Sequence, residues 1–183
     1  MVRILLQQSW VNPTDADEDG CNSLAFACLH NQVNIVQLLL QDRRVDPSRA
    51  VGNGQYLPVT VAAQRDNLGV VRLLLQDRRV DPSARDNEAI CEASSEASSK
   101  SVKVLLEDSR VDPSARNNEP IRKAIENNDI DTFVMLLQDS RVDPSFLVLE
   151  AALWARDNGK TDIVKSMVME IFKLKIKQET DKY

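Results

Sequence analysis

At 183 residues the chain has room for one domain or one short continuous stack, and 43% apolar residues supply a core although aromatics make up only 4%. A net charge of −5 excludes a general affinity for nucleic acid, which needs clustered lysine and arginine. No apolar run reaches the length of a membrane span and no cleavable signal pattern opens the sequence; Cys21, Cys28 and Cys91 form no Cys-x-x-Cys pair, which argues against a disulfide framework and for a reducing setting.

The chain opens on Val2, Ile4, Leu5 and Leu6 and then reaches Val11-Asn12-Pro13-Thr14. Two leucines, four residues, a valine, Asp or Asn, Pro, and Ser or Thr make a phrase that returns after Leu39-Leu40, Leu74-Leu75, Leu105-Leu106 and Leu136-Leu137. Its prolines stand at 13, 47, 82, 113 and 144, at intervals of 34, 35, 31 and 31. Self-similarity at this period means one supersecondary unit copied and stacked. The opening segment has second-helix positions with no first helix before them. It is either a half-repeat cap over residues 1–14 or the cut edge of a longer array. Next come Asp15, Asp17, Glu18 and Asp19, which lack the ligand spacing of a calcium loop and read as a solvated acidic tip, with a basic partner as the second reading.

Each full copy begins with an apolar residue followed three positions later by alanine: Leu24/Ala27, Val59/Ala62, Ile90/Ala93, Ile121/Ala124 and Ala152/Ala155. An alanine column marks close helix–helix approach. Seven residues after each start comes Asn31, Asp66, Ala97, Asn128 or Gly159, and in four of the five copies this residue tolerates the left-handed conformation that ends a helix. A second helix follows, with Val33, Val36, Leu39 and Leu40 in the first copy and Leu68, Val71, Leu74 and Leu75 in the second. The series continues through Val102 and Leu105, then Ile130, Phe133 and Leu136, then Val164 and Met167. Asp-Pro-Ser turns the chain after each of the first four: proline presets φ, and the carboxylate accepts local backbone N–H bonds.

This pattern resembles the ankyrin repeat. Asp19-Gly20-x-Asn22-Ser23-Leu24-x-x-Ala27 and Val33-x-Ile35-Val36-x-Leu38-Leu39 are similar to that family's signature and its following helix, and Val45-Asp46-Pro47-Ser48 to the segment leading into the next finger. The resemblance covers nearly the whole chain and implies antiparallel helix pairs, outward fingers and a concave face used for protein binding. The chain departs from the pattern in two ways. Arginine-containing pairs (Arg43-Arg44, Arg78-Arg79, Ser109-Arg110, Ser140-Arg141) replace the helix-ending glycine. The spacing from turn to next helix is 12 at Asn12→Leu24 and 13 at Asp46→Val59, then falls to 9 at Asp81→Ile90, Asp112→Ile121 and Asp143→Ala152. Two fingers of ordinary length are therefore expected, followed by clipped loops.

The expected fold is an all-α, ankyrin-like helical solenoid of about five helix pairs plus the half repeat, with short or absent β-hairpins in the later repeats. Residues 1–183 form a single domain with repeats starting near 19, 54, 86, 117 and 148 and a capping helix to about 178. The third copy reads as the first to open, because Ser99 and Ser101 stand where other copies mostly carry Val, Leu or Ile.

Candidate chemistry is sparse. His30 is the only histidine, and Cys21, Cys28 and His30 lack a fourth ligand, so buried structural thiols are expected, with no metal and no cofactor. Gly52-Asn53-Gly54 lacks the lysine of a phosphate loop and reads as a finger turn. The pairs Asp42/Arg44, Asp77/Arg79, Asp108/Arg110 and Asp139/Arg141 read as surface ion-pair ladders, each worth little. Phe146–Leu149 is either an apolar docking patch or packing beneath Trp154.

Positions that vary between copies are free to read a partner. At the end of the first helix these are Leu29/His30, Gln64/Arg65, Ser95/Glu96, Glu126/Asn127 and Asp157/Asn158. The expected contact set is Tyr56, His30, Gln64, Arg65, Ser95, Glu96, Glu126 and Asn127. The resemblance implies a non-catalytic interaction module or adaptor in the cytoplasm (the nucleus is an alternative). It would act as a monomer holding a protein partner through its concave face and fingers, without nucleic acid or membrane. The alternative is a structural subunit of a larger assembly or a fragment of a longer array.

Overall fold

The computed structural model describes residues 2–8, 11–142 and 156–159, together with Lys165, Val168, Met169 and Lys173. The fifth copy, apart from its residues 156–159, lies outside them, as do Phe146–Leu149 and Trp154; of the expected capping helix only four single positions are described. Among the described residues the fold is all-α. A lone helix α1 (Val2–Leu6) precedes four helix pairs: α2 (Ser23–Leu29) with α3 (Val33–Gln41), α4 (Pro58–Gln64) with α5 (Leu68–Gln76), α6 (Ala84–Ser95) with α7 (Ser99–Leu106), and α8 (Ala115–Glu126) with α9 (Ile130–Gln138). First helices pack in one row, α2 on α4 on α6 on α8, and second helices in another, α1 on α3 on α5 on α7 on α9.

The repeated residues hold this stack. Ala27, Ala62, Ala93 and Ala124 are all buried, as the alanine column predicts, and so are Leu39, Leu74, Leu105 and Leu136. Val45, Val80, Val111 and Val142 plug the gaps between successive turns. Each fully buried leucine contributes about 1.5–3 kcal/mol, and since no helix pair can bury its apolar side alone, that energy is available only when neighbours stack. Helix stops follow the sequence: Asn31, Asp66, Ala97 and Asn128 all adopt positive φ, with Ala97 at 54° doing so without a compensating side chain. Three Asp-Pro-Ser turns close as expected, with Asp46 accepting from the Ser48 N–H at 2.9 Å and Oγ at 2.6 Å, and Asp81 and Asp112 repeating the arrangement; the fourth, at Asp143, lies outside the described residues. These bonds, the serine hydroxyl's foremost, hold the Asp46 carboxyl below the usual carboxylate range.

One sequence expectation needs correction. The Asp/Arg pairs do form, each at 2.6 Å, but they are more than surface ladders. Arg79 also donates from Nη1 to the Val45 carbonyl at 2.8 Å and from Nη2 to the Leu40 carbonyl at 2.8 Å, both in the preceding repeat. Arg44 reaches Val11 and Leu6, Arg110 reaches Val80 and Leu75, and Arg141 reaches Val111 and Leu106. The aspartate two residues earlier orients a guanidinium fork that satisfies a carbonyl in the last turn of the previous second helix. The arginine therefore replaces the missing glycine with a cap supplied by the next repeat.

The loops divide as the spacing predicts. The first two fingers each hold one antiparallel bridge, Ala16 with Asn22 and Val51 with Tyr56. The next two have none. Each is instead a single left-handed turn at the start of its helix, Arg85, Asp86 and Asn87 at φ 55°, 56° and 57°, and Arg116, Asn117 and Asn118 at 51°, 58° and 60°. Left-handed backbone costs roughly 1–2 kcal/mol per residue, least for Asn and Asp. Long side chains offset this: Arg85 donates to the Gln55 and Gly54 carbonyls at 2.6 and 2.9 Å, Arg116 to the Arg85 carbonyl at 2.7 Å, and the Asn87 side chain accepts from the Asp112 N–H at 2.7 Å.

Candidate functional site

A cleft of about 580 Å³ opens between the two fingers and the first-helix row. Its floor is Ala25, Phe26 and Leu29 of α2 and Val61 of α4, and its wall is Val51 and Tyr56 of the second finger. Local structure fixes each of these. Asn22 caps α2 by accepting from the Ala25 N–H at 2.9 Å, and Pro58 opens α4 at a position where its missing N–H costs nothing. Tyr56 is held by the paired Val51–Tyr56 backbone bonds of 2.8 and 3.2 Å. The two fingers abut at Gly20, whose carbonyl accepts from the Gly52 N–H at 3.0 Å. Gly20 has φ +75°, and a Cβ there would lie 2.3 Å from the Asn53 nitrogen, so only glycine permits this approach.

Two aromatic rings stay open in the cleft: Phe26 is 45% exposed and Tyr56 is 38% exposed. The His30 ring stacks on Phe26 at 6.3 Å between centroids. Asp19, Arg65 and Glu96 supply charge at the rim, and none of them is in an ion pair among the described residues. Gln64 reaches across to Glu92 at 2.9 Å and Thr60 to Glu88 at 3.1 Å, so polar bonds join α4 to α6 beside the cleft.

Of the residues named from sequence, Tyr56, Gln64, Arg65 and Glu96 line this one cleft, and His30 sits against it through Phe26. Ser95, beside Glu96, does not line it, and neither do Glu126 and Asn127 one repeat farther along the row. The Asn127 amide is engaged in stacking, donating to the Ser94 and Ser95 carbonyls of the preceding repeat at 3.1 and 2.6 Å. Ser98 and Asn67 serve the same end one and two repeats earlier, on Gln64 and on Cys28. Phe26 went unnamed in the sequence reading, although its register is also variable: Val61, Glu92 and Lys123 occupy it in the next three copies.

Among the described residues no three His, Cys, Asp or Glu side chains converge as a metal site. Burial pushes the Cys28 and Cys91 thiols up to about 12, so neither is a nucleophile at neutral pH. No helix among the described residues is long and apolar enough to cross a membrane.

These features define an all-α repeat scaffold whose open surface is a cleft between fingers and first helices. The family model of the ankyrin repeat matches residues 56–87, from the end of the second finger through the α4/α5 pair and its turn to the start of α6, and supports an ankyrin-repeat assignment for that segment. No curated protein matches the chain. Ankyrin repeats are in general protein–protein interaction modules, and the family is typically non-catalytic.

Proposed function

We propose that this chain is a non-catalytic protein-interaction module, an adaptor that holds a protein partner against its first-helix row and its first two fingers. The observation that carries this reading is the pair of open aromatics, Phe26 and Tyr56, gathered in one cleft with unpaired Asp19, Arg65 and Glu96 at its rim. Exposed aromatics ringed by polar groups are how protein interfaces place their anchors, because a large ring buries much area at little entropic cost. The three free cysteines support a reducing, cytoplasmic setting.

Affinity capture from native lysate tests the proposal, comparing the chain with a triple variant, Phe26→Ser, Arg65→Glu and Glu96→Lys, of unchanged helicity. A protein held by the first and lost by the second is expected. A protein retained equally by both moves the site off the cleft and refutes this assignment.

A further inference from the structure

We infer that the cleft takes a short extended segment of a protein partner, in which a bulky aliphatic or aromatic side chain stands next to lysine or arginine. This rests on the reading of the chain as a protein-interaction module and names the chemistry that the cleft selects. A volume of about 580 Å³ falls within the roughly 300–1,000 Å³ of ordinary ligand sites, too small for a folded element and ample for a few residues. The floor is apolar, and Phe26 in it and Tyr56 in the wall leave 45% and 38% of their surface open, so one large side chain laid against them removes apolar area on both partners.

Charge decides what flanks that side chain. Asp19 stands on the first finger and Glu96 past the end of α6, opposed only by Arg65, and Asp15, Asp17 and Glu18 extend the negative field outward along the same finger. The Asp17 carboxylate is occupied, accepting from the N–H groups of Asp19 and Cys21 at 3.1 and 2.8 Å, and Asp15 accepts from Asn12. Asp19 and Glu96 have no ion pair of their own among the described residues, so an incoming ammonium or guanidinium forms a charge-assisted bond without displacing one. The same field repels acidic segments, which gives discrimination as well as attraction. The segment need not add a strand to the second finger, because Val51 and Tyr56 already exchange both of their backbone bonds.

Selection of random heptapeptides displayed on phage against the full chain tests this. The expected enrichment pairs Leu, Ile, Met, Phe, Trp or Tyr with Lys or Arg. Synthetic versions of the enriched peptides, followed by fluorescence anisotropy, should weaken about tenfold with Phe26→Ser and with Asp19→Lys, about 1.4 kcal/mol, and hold their affinity with Asp131→Lys outside the cleft. They should also slow iodoacetamide labelling of Cys21, a half-buried thiol in the cleft lining. Enrichment of acidic or wholly polar peptides, binding that leaves Cys21 open, or no enrichment at all overturns the inference. If a protein is still captured from lysate through Phe26 while no such peptide is enriched, the adaptor reading stands and only the segment chemistry falls. Loss of both removes the two together.

Discussion

Replacing Arg79 by methionine separates the inter-repeat cap from a surface ion pair. Methionine keeps the unbranched stem but removes the fork that bonds the Val45 and Leu40 carbonyls and the Asp77 carboxylate. A hydrogen bond to a charged group contributes about 1.5–3 kcal/mol when buried, but the Arg79 side chain is 39% exposed, so each bond must be discounted for water. The Leu40 carbonyl is open and regains water, leaving a few tenths of a kcal/mol at stake, roughly. The Val45 carbonyl is partly buried, and its bond is worth about 1 kcal/mol. The pair with Asp77 adds about 0.5 kcal/mol. Together the loss is about 2 kcal/mol, or roughly 4–8 °C in Tm for a domain of this size.

Urea denaturation measures it, with two controls. Arg78→Met removes an equal charge from the adjacent residue, which makes no hydrogen bond or ion pair among the described residues, and should stay within about 0.5 kcal/mol of wild type. Arg79→Lys keeps the charge but cannot span two carbonyls and a carboxylate, and should recover no more than the ion-pair share. If Arg79→Met costs no more than Arg78→Met, the capping argument is wrong and the row is only a surface ladder.

Ala97→Gly should stabilise by about 0.5–1 kcal/mol in the same assay, because Ala97 holds φ 54° where the other described stops are Asn, Asp or Gly; no gain would mean the backbone there relaxes freely. Ser101→Val and Thr132→Val should each gain about 1 kcal/mol, since both hydroxyls are fully buried without a partner and Val70 fills the same register in the second repeat; the first should also raise hydrogen-exchange protection across α6 and α7. The Asp77 carboxyl lies below its ordinary range because Arg79 bonds to it. Its contribution is therefore complete above the unfolded value near ~3.9 and disappears as pH falls through the lower folded value. The stability gap between wild type and Arg79→Met should accordingly narrow in acid and stay constant from about pH 5 upward, and a gap that widens in acid would contradict the assignment. Iodoacetamide at pH 8 should label Cys21 alone in the folded chain and all three thiols in urea, since burial pushes Cys28 and Cys91 up to about 12.

The leucine pairs, the alanine column and the left-handed stops were legible because each is a local rule repeated in register, and repetition exposes it. The arginine caps were not. Arg79 and Asp77 are two residues apart and read as a pair, but the carbonyls that complete the site are 34 and 39 residues away, a distance set by stacking. Phe26 was missed for a related reason. The variable row was taken at the end of the first helix, at Leu29 and His30, whereas side chains three and four residues earlier share that face. Extending the row by one turn would have found Phe26 and Val61 from the sequence.

The clipped loops were legible as a length of 9 against 12 and 13 but not as a conformation, because Arg-Asp-Asn contains no glycine to announce three left-handed residues. What makes that backbone tolerable is again supplied by neighbours. Arg85 ties the left-handed turn to Gly54 and Gln55 of the second finger, Arg116 ties the following turn to Arg85, and Gly52 ties the second finger to the first. The strained turns and the fingers thus form one hydrogen-bonded edge. Its C-terminal part carries no finger; its N-terminal part holds Tyr56 at the cleft. An insertion into the Arg85–Asn87 turn would therefore act on the cleft by releasing the second finger, even though no residue of that turn lines it.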